Sequence, residues 1–188
     1  MSALSAIDRL VNNYTRQMRL PWSQNVSGKQ CIWFAVYPPS EERRIRSRLP
    51  LFESLTLGAQ HGWSTVDLTR LLPEYLAAHK YREAIFQNPK HLRAGSELEN
   101  RAVELVKAAC SRDEADADGV VAVTGLASLF DFMRVSTLIE RVEDSVRGRM
   151  LIFFPGEYAG NIYRFMDARD GFNYMAVPIT STESFINP

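Results

Sequence analysis

The chain is predicted to be an α/β protein: a single three-layer domain with a mainly parallel sheet of about five strands and helices on both faces. Three observations lead there. Residues 30–37, 119–123 and 149–154 are unbroken apolar runs rich in β-branched and aromatic types, the pattern of strands buried on both faces. Between them lie stretches with apolar residues three and four apart, the period of an amphipathic helix. Strands separated by helices need crossover connections, and crossovers leave neighbouring strands parallel.

The elements follow in order. Leu4, Ile7, Leu10, Val11, Tyr14 and Met18 make one apolar stripe, so residues 4–20 read as a helix, with a loop over 21–29. The strand at 30–37 is stopped by Pro38-Pro39. Ser40 is an expected N-cap, with Glu41 and Glu42 in a first turn where the helix dipole favours acids. That helix should end at Gly58. A short strand over 63–68 precedes a helix over roughly 70–86, with Asp67 or Thr69 as its cap. Residues 87–95 read as a break. Ser96 with Glu99 fits a capping box, opening a helix striped by Leu98, Ala102, Leu105, Val106 and Ala109. After an acidic link at 113–118 come the strand 119–123, Thr124-Gly125 and a helix over 133–147. The strand 149–154 is expected to close at Pro155-Gly156, with 157–172 as a loop holding a short helix. A last strand over 173–179 should lie near a sheet edge, because Pro178 lacks an N–H. Three regions result: helix and loop at 1–29, the α/β domain at 30–180, and a loosely ordered tail at 181–188.

Apolar residues make up 46% of the 188 and charged residues 23%, the balance of a globular domain. Lysine plus arginine (22) equals aspartate plus glutamate (22), so no whole-molecule field draws in nucleic acid or an anionic membrane. Arg43, Arg44, Arg46 and Arg48 form a local basic run, but Glu41 and Glu42 precede it and helical geometry splays it. It reads as a solvated helix face, and direct nucleic-acid binding is not expected. Cys31 and Cys110 read as buried free thiols. There is no basic start followed by an apolar core at the N-terminus and no run of the roughly 20 apolar residues that span a bilayer. A cytoplasmic protein without membrane contact is expected.

Catalytic motifs are missing. The phosphate loop Gly-x-x-x-x-Gly-Lys-Ser/Thr, the Gly-x-Gly-x-x-Gly fingerprint and the nucleophile elbow Gly-x-Ser-x-Gly do not occur. His61, His79 and His91 are not spaced as zinc ligands and read as surface or helix-end residues. No metal, cofactor or catalytic residue is expected.

Parallel strands put their carboxyl ends on one edge, where ligands usually bind. Four loops should meet there: Tyr37-Pro38, Asp67, Thr124-Gly125 and Pro155-Gly156-Glu157-Tyr158. Arg134 begins the helix after the third; Arg164, Arg169 and Asp170 follow the fourth. These residues are the candidate partner or ligand edge. Arginine forks there suit a phosphate or a partner's carboxylate. The alternative is structural: prolines and glycines ending strands, with an Arg134–Glu157 ion pair ordering the loops.

Residues Val120 to Ser136, with Thr124-Gly125, Phe130 and Arg134-x-Ser136, and Leu151 to Tyr158, with Pro155-Gly-Glu-Tyr158, resemble the BrxB family of BREX bacteriophage-exclusion systems. Asn173-Tyr174 and Phe34 to Pro39 extend the resemblance over roughly 30–180. It departs at Asp131-Phe132, where the family has Tyr-Pro, and over 159–172. The resemblance implies a small BREX subunit without a catalytic motif, in contact with a PglZ-like phosphatase or the large ATPase. Two readings follow. An adaptor docking other defence subunits predicts an exposed aromatic patch, with Trp22, Tyr158 or Tyr163 as candidates. A degenerate nucleotide-binding or hydrolytic enzyme predicts a pocket at the strand ends holding Arg134 and Glu157.

Overall fold

A computed structural model describes residues 5–22, 28–88, 95–166 and 171–181, with the backbone alone at 95 and 96. Strands β1 (Ile32–Tyr37), β2 (Gly62–Asp67), β3 (Gly119–Thr124), β4 (Arg149–Ala159) and β6 (Val177–Thr180) form one parallel sheet in the order β2-β3-β4-β1-β6. A further strand, β5 (Ile162–Phe165), pairs antiparallel with the outer part of β4. The expected class, a mainly parallel sheet between helical layers, is the one observed. β6 is an edge strand, the position that tolerates Pro178.

Strand side chains alternate between two cores. On one face, Trp33, Ala35, Tyr37, Val120, Ala122, Leu151 and Phe153 pack under α1 (Ala6–Met18) and α2 (Glu42–Gly58). On the other, Ile32, Phe34, Val36, Val121, Val123, Ile152 and Phe154 pack under α3 (Leu71–Ala78), α5 (Gly95–Cys110), α6 (Val135–Val142) and the β5 hairpin. Both faces are covered, which is why these strands carry no polar alternation. α1 starts on a capping box: the Asp8 amide donates to Ser5 Oγ at 3.2 Å, and the Ser5 amide donates to the Asp8 carboxylate at 3.3 Å.

Several expectations need correction. Ser40 is not an N-cap; Pro38 and Pro39 impose a tight 3₁₀ turn over Pro39–Glu41, and α2 begins after it. The helix expected at 70–86 is two, α3 and α4 (Arg82–Gln87), because the backbone at His79 turns extended. Asp67 caps no helix; its carboxylate closes a turn onto Thr69. In α5, Val103 faces the core and Leu105 is 43% exposed, a one-face shift of the stripe. The Ser96 capping side chain lies outside the described residues. The helix expected at 133–147 shortens to α6 and a 3₁₀ turn over Glu143–Ser145. The last strand is limited to Val177–Thr180, and the tail beyond 181 lies outside the described residues.

The largest correction concerns β4. It does not stop at Pro155-Gly156 but runs eleven residues to Ala159 and returns as β5, where a loop with a short helix was expected. Asn161 and Gly160 form the bend, both at positive φ (63° and 56°), as tight hairpin turns require. Gly156 is obligatory: a Cβ there would lie 2.1 Å from the Arg164 carbonyl oxygen. Folding back, β5 lays Tyr163 on Phe34 (ring centroids 4.5 Å) and Phe165 on Phe154 (5.2 Å).

Candidate functional site

The strand ends do align. Asp67 pairs with Thr124 across β2 and β3, and Tyr37 with Pro155 across β1 and β4. The chain leaves β1 toward the α1/α2 face and leaves β2, β3 and β4 toward the other. The sheet therefore reverses between β1 and β4, where open α/β sheets usually have a ligand crevice. Here β4 continues through that place, and Met166 N–H donates to the Pro155 carbonyl at 2.8 Å.

The rest of the rim is closed by its own side chains. Tyr37 O–H donates to Glu42 at 2.6 Å, and Arg46 Nε donates to the same carboxylate at 2.9 Å. Arg46 Nη2 donates to Thr69 Oγ1 at 3.1 Å, and the Thr69 hydroxyl donates to Asp67 Oδ1 at 2.5 Å. Ser128 Oγ donates to the Gly125 carbonyl at 2.7 Å. Of the sequence candidates, Tyr37, Thr124, Gly125, Pro155 and Gly156 are buried and serve this closure. Pro38, Arg134 and Glu157 are exposed, and Tyr158 is half-buried against Tyr163 (4.6 Å). Arg134 and Glu157 are not a pair: Glu157 faces Arg164 across the hairpin at 3.5 Å, a contact between exposed groups. Arg169 and Asp170 lie outside the described residues.

Burial pushes the Asp67 carboxyl up, but hydrogen bonds from Thr69 and Thr124 and the Arg46 charge outweigh it and hold it below its ordinary value. Because the folded value is depressed, the associated stability is complete above the unfolded carboxylate value of about 3.9 and is lost as pH falls below it. Asp67→Asn is expected to lower the melting temperature at neutral pH and to flatten its fall in acid. An acid limb identical to that of the parent would show that Asp67 does not hold the rim.

Three of the four arginines of the basic run are spoken for: Arg44 by Glu41 (3.2 Å), Arg46 by Glu42 (2.9 Å) and Arg48 by Asp8 (3.4 Å). At the opposite end of the sheet Arg149, 7% exposed, lies 4.8 Å from the Trp22 ring and 5.8 Å from that of Trp33. His61 stacks on Trp22 at 3.8 Å. Trp22 is thus half-buried, and Tyr163 is fully buried with its hydroxyl donating to the Ala176 carbonyl, so neither supplies an exposed aromatic patch. Cys31 and Cys110 are both buried and free; burial raises the Cys110 thiol to about 11. Among the described residues no cluster of His, Cys, Asp and Glu could hold a metal, and no helix is long and apolar enough to cross a membrane.

An opening lies beside the rim, not on it. A cleft of about 700 Å³ runs between the Phe130–Thr137 segment, Glu99 of α5, Phe165 of β5 and Phe172. Arg134 is on its lining; Glu157 is not. Phe130 packs on Phe165 at 5.7 Å, which ties the loop wall to the hairpin wall. Phe130, Phe132 and Arg134 are neighbours in the sequence, but nothing in the sequence joins them to Phe165 and Phe172. The only signal was the run Phe130-Asp-Phe-Met133.

A three-layer α/β domain with a self-closed rim and an aromatic cleft at its side defines the class: an open-sheet protein whose usual ligand crevice is filled by its own chain. The family model described as BREX protein BrxB matches residues 64–179, well over half of the chain. The chain belongs to the BrxB family, and its role lies in BREX phage defence. No curated protein and no solved structure shows a significant match.

Proposed function

We propose that the chain is a non-catalytic adaptor subunit, acting in the cytoplasm, that docks other BREX proteins, namely the PglZ-like phosphatase or the large ATPase. The observation carrying this reading is the allocation of polar groups. Those at the strand ends, where an enzyme of this architecture would spend them on substrate, are spent on one another. What the surface offers instead is a cleft with aromatic walls and an arginine, the residue types that anchor protein interfaces.

Co-expression of the tagged full chain with its neighbouring gene products tests it. A PglZ-like protein or the ATPase is expected to co-purify in stoichiometric amount and to survive a salt wash. Recovery of neither sinks the adaptor reading. Thermal stabilisation by a nucleotide with magnesium, in the absence of any partner, would instead point to a ligand site.

A further inference from the structure

The cleft beside α6 carries more than an outline. Its lining is mixed: Phe130, Phe132, Met133, Phe165 and Phe172 supply the apolar part, and Ser136 and Thr137 stand beside them. The side formed by Phe165 and Phe172 is held in place, because Phe165 packs on Phe154 (5.2 Å) and Phe172 on Tyr163 (5.9 Å), within the packed sheet face. An occupant therefore meets a fixed surface and does not have to order it, which spares affinity.

Charge adds a direction. Among the described residues, three charged side chains line the cleft: Glu99, Asp131 and Arg134. Glu99 is already taken by Arg141 at 2.8 Å. Like Asp131, Arg134 is exposed and has no ion-pair or hydrogen-bonding partner among the described residues. It is also the N-cap of α6, and no side chain caps that helix, so the positive end of the helix dipole adds to the guanidinium. An occupant with a carboxylate is drawn to Arg134 and held off Asp131.

We infer that this cleft takes a short acidic–apolar peptide segment of a partner protein, its bulky apolar side chain on the Phe130–Phe165 wall and its carboxylate on the Arg134 guanidinium. The inference rests on the adaptor reading and names the chemistry of the partner segment. A guanidinium suits the task because its fork takes a carboxylate by two parallel bonds, and an aromatic wall beside it excludes water from that pair.

The test is a dodecapeptide display library selected on the immobilised full chain, with the Arg134→Glu chain as counter-selection target. Enriched sequences are expected to combine Asp or Glu with a nearby aromatic or branched apolar residue. A synthetic peptide from that set, labelled and titrated by fluorescence anisotropy, should bind about tenfold or more weakly to Arg134→Glu and to Phe132→Ser, with partial recovery in Arg134→Lys. Circular dichroism and thermal melts check each variant. Should Phe132→Ser fail to fold, the exposed Arg134→Glu carries the test alone.

An enriched set without acids, no enrichment over the counter-target, or equal affinity for Arg134→Glu overturns the inference. So does self-association of the chain that Arg134→Glu abolishes, because the occupant is then a second copy. Co-purification of a BREX subunit that is indifferent to Arg134→Glu sinks the cleft but leaves the adaptor reading intact. Loss of all co-purification sinks that reading instead.

Discussion

Replacing Phe34 by alanine should cost about 3–5 kcal/mol of folding stability, the range for emptying a buried aromatic site. Phe34 sits in the middle of β1 and is 0% exposed. Its ring is shared by the sheet and the hairpin: Phe154 lies at 5.0 Å, Tyr163 at 4.5 Å, Phe172 at 6.3 Å and Tyr174 at 6.4 Å. These neighbours come from β4, β5 and the segment leading to β6, so no single element can slide in to fill the space. Truncation thus leaves a void and also removes the surface on which the hairpin rests. Denaturant unfolding at neutral pH measures it. Phe86→Ala, at a side chain 65% exposed, is the control and should stay within about 0.5 kcal/mol. A loss at Phe34 below about 1 kcal/mol would mean that the hairpin collapses inward and is not held in place by ring packing.

Gly125→Ala should be among the most damaging single changes at the rim. Gly125 has φ +78°, a conformation that costs an L-residue roughly 1–2 kcal/mol. An added Cβ would also lie 2.4 Å from the Thr69 amide nitrogen and 2.6 Å from Asp67 Oδ1. Relief requires the β2–α3 turn to move, which opens the hydrogen bonds of Asp67 with Thr69 and strips Arg46 of its Thr69 contact. The strain and the lost bonds together amount to about 3 kcal/mol. Thermal melts are expected to show this loss. Thr69→Ala placed in the same chain should restore little of it, because the obstructing amide belongs to the backbone. A Gly125→Ala protein that melts with the parent would show that the two loops separate freely.

Gly125 lies on the candidate edge and Phe34 inside β1, away from it, yet neither role is legible in the sequence. Thr124-Gly125 was seen to end a strand, and it does. That Gly125 must touch the turn after β2 depends on residues 56 positions earlier being brought alongside by strand pairing. Arg134 and Glu157 both follow strands in the sequence, but the hairpin carries Glu157 outward to Arg164 and leaves Arg134 at the cleft. Pro155-Gly156 normally ends a strand, and it failed to do so here because Gly156 is the one residue small enough for β5 to approach.

Local chemistry was therefore enough for the layers. Apolar runs that bury both faces, and helical stripes between them, dictate a parallel sheet under two helical coats wherever they occur in this order. Pairing partners, the length of β4 and the position of the cleft are set by contacts between segments far apart in the chain. Those contacts depend on distance in space, and periodicity along a strand or helix carries no record of it.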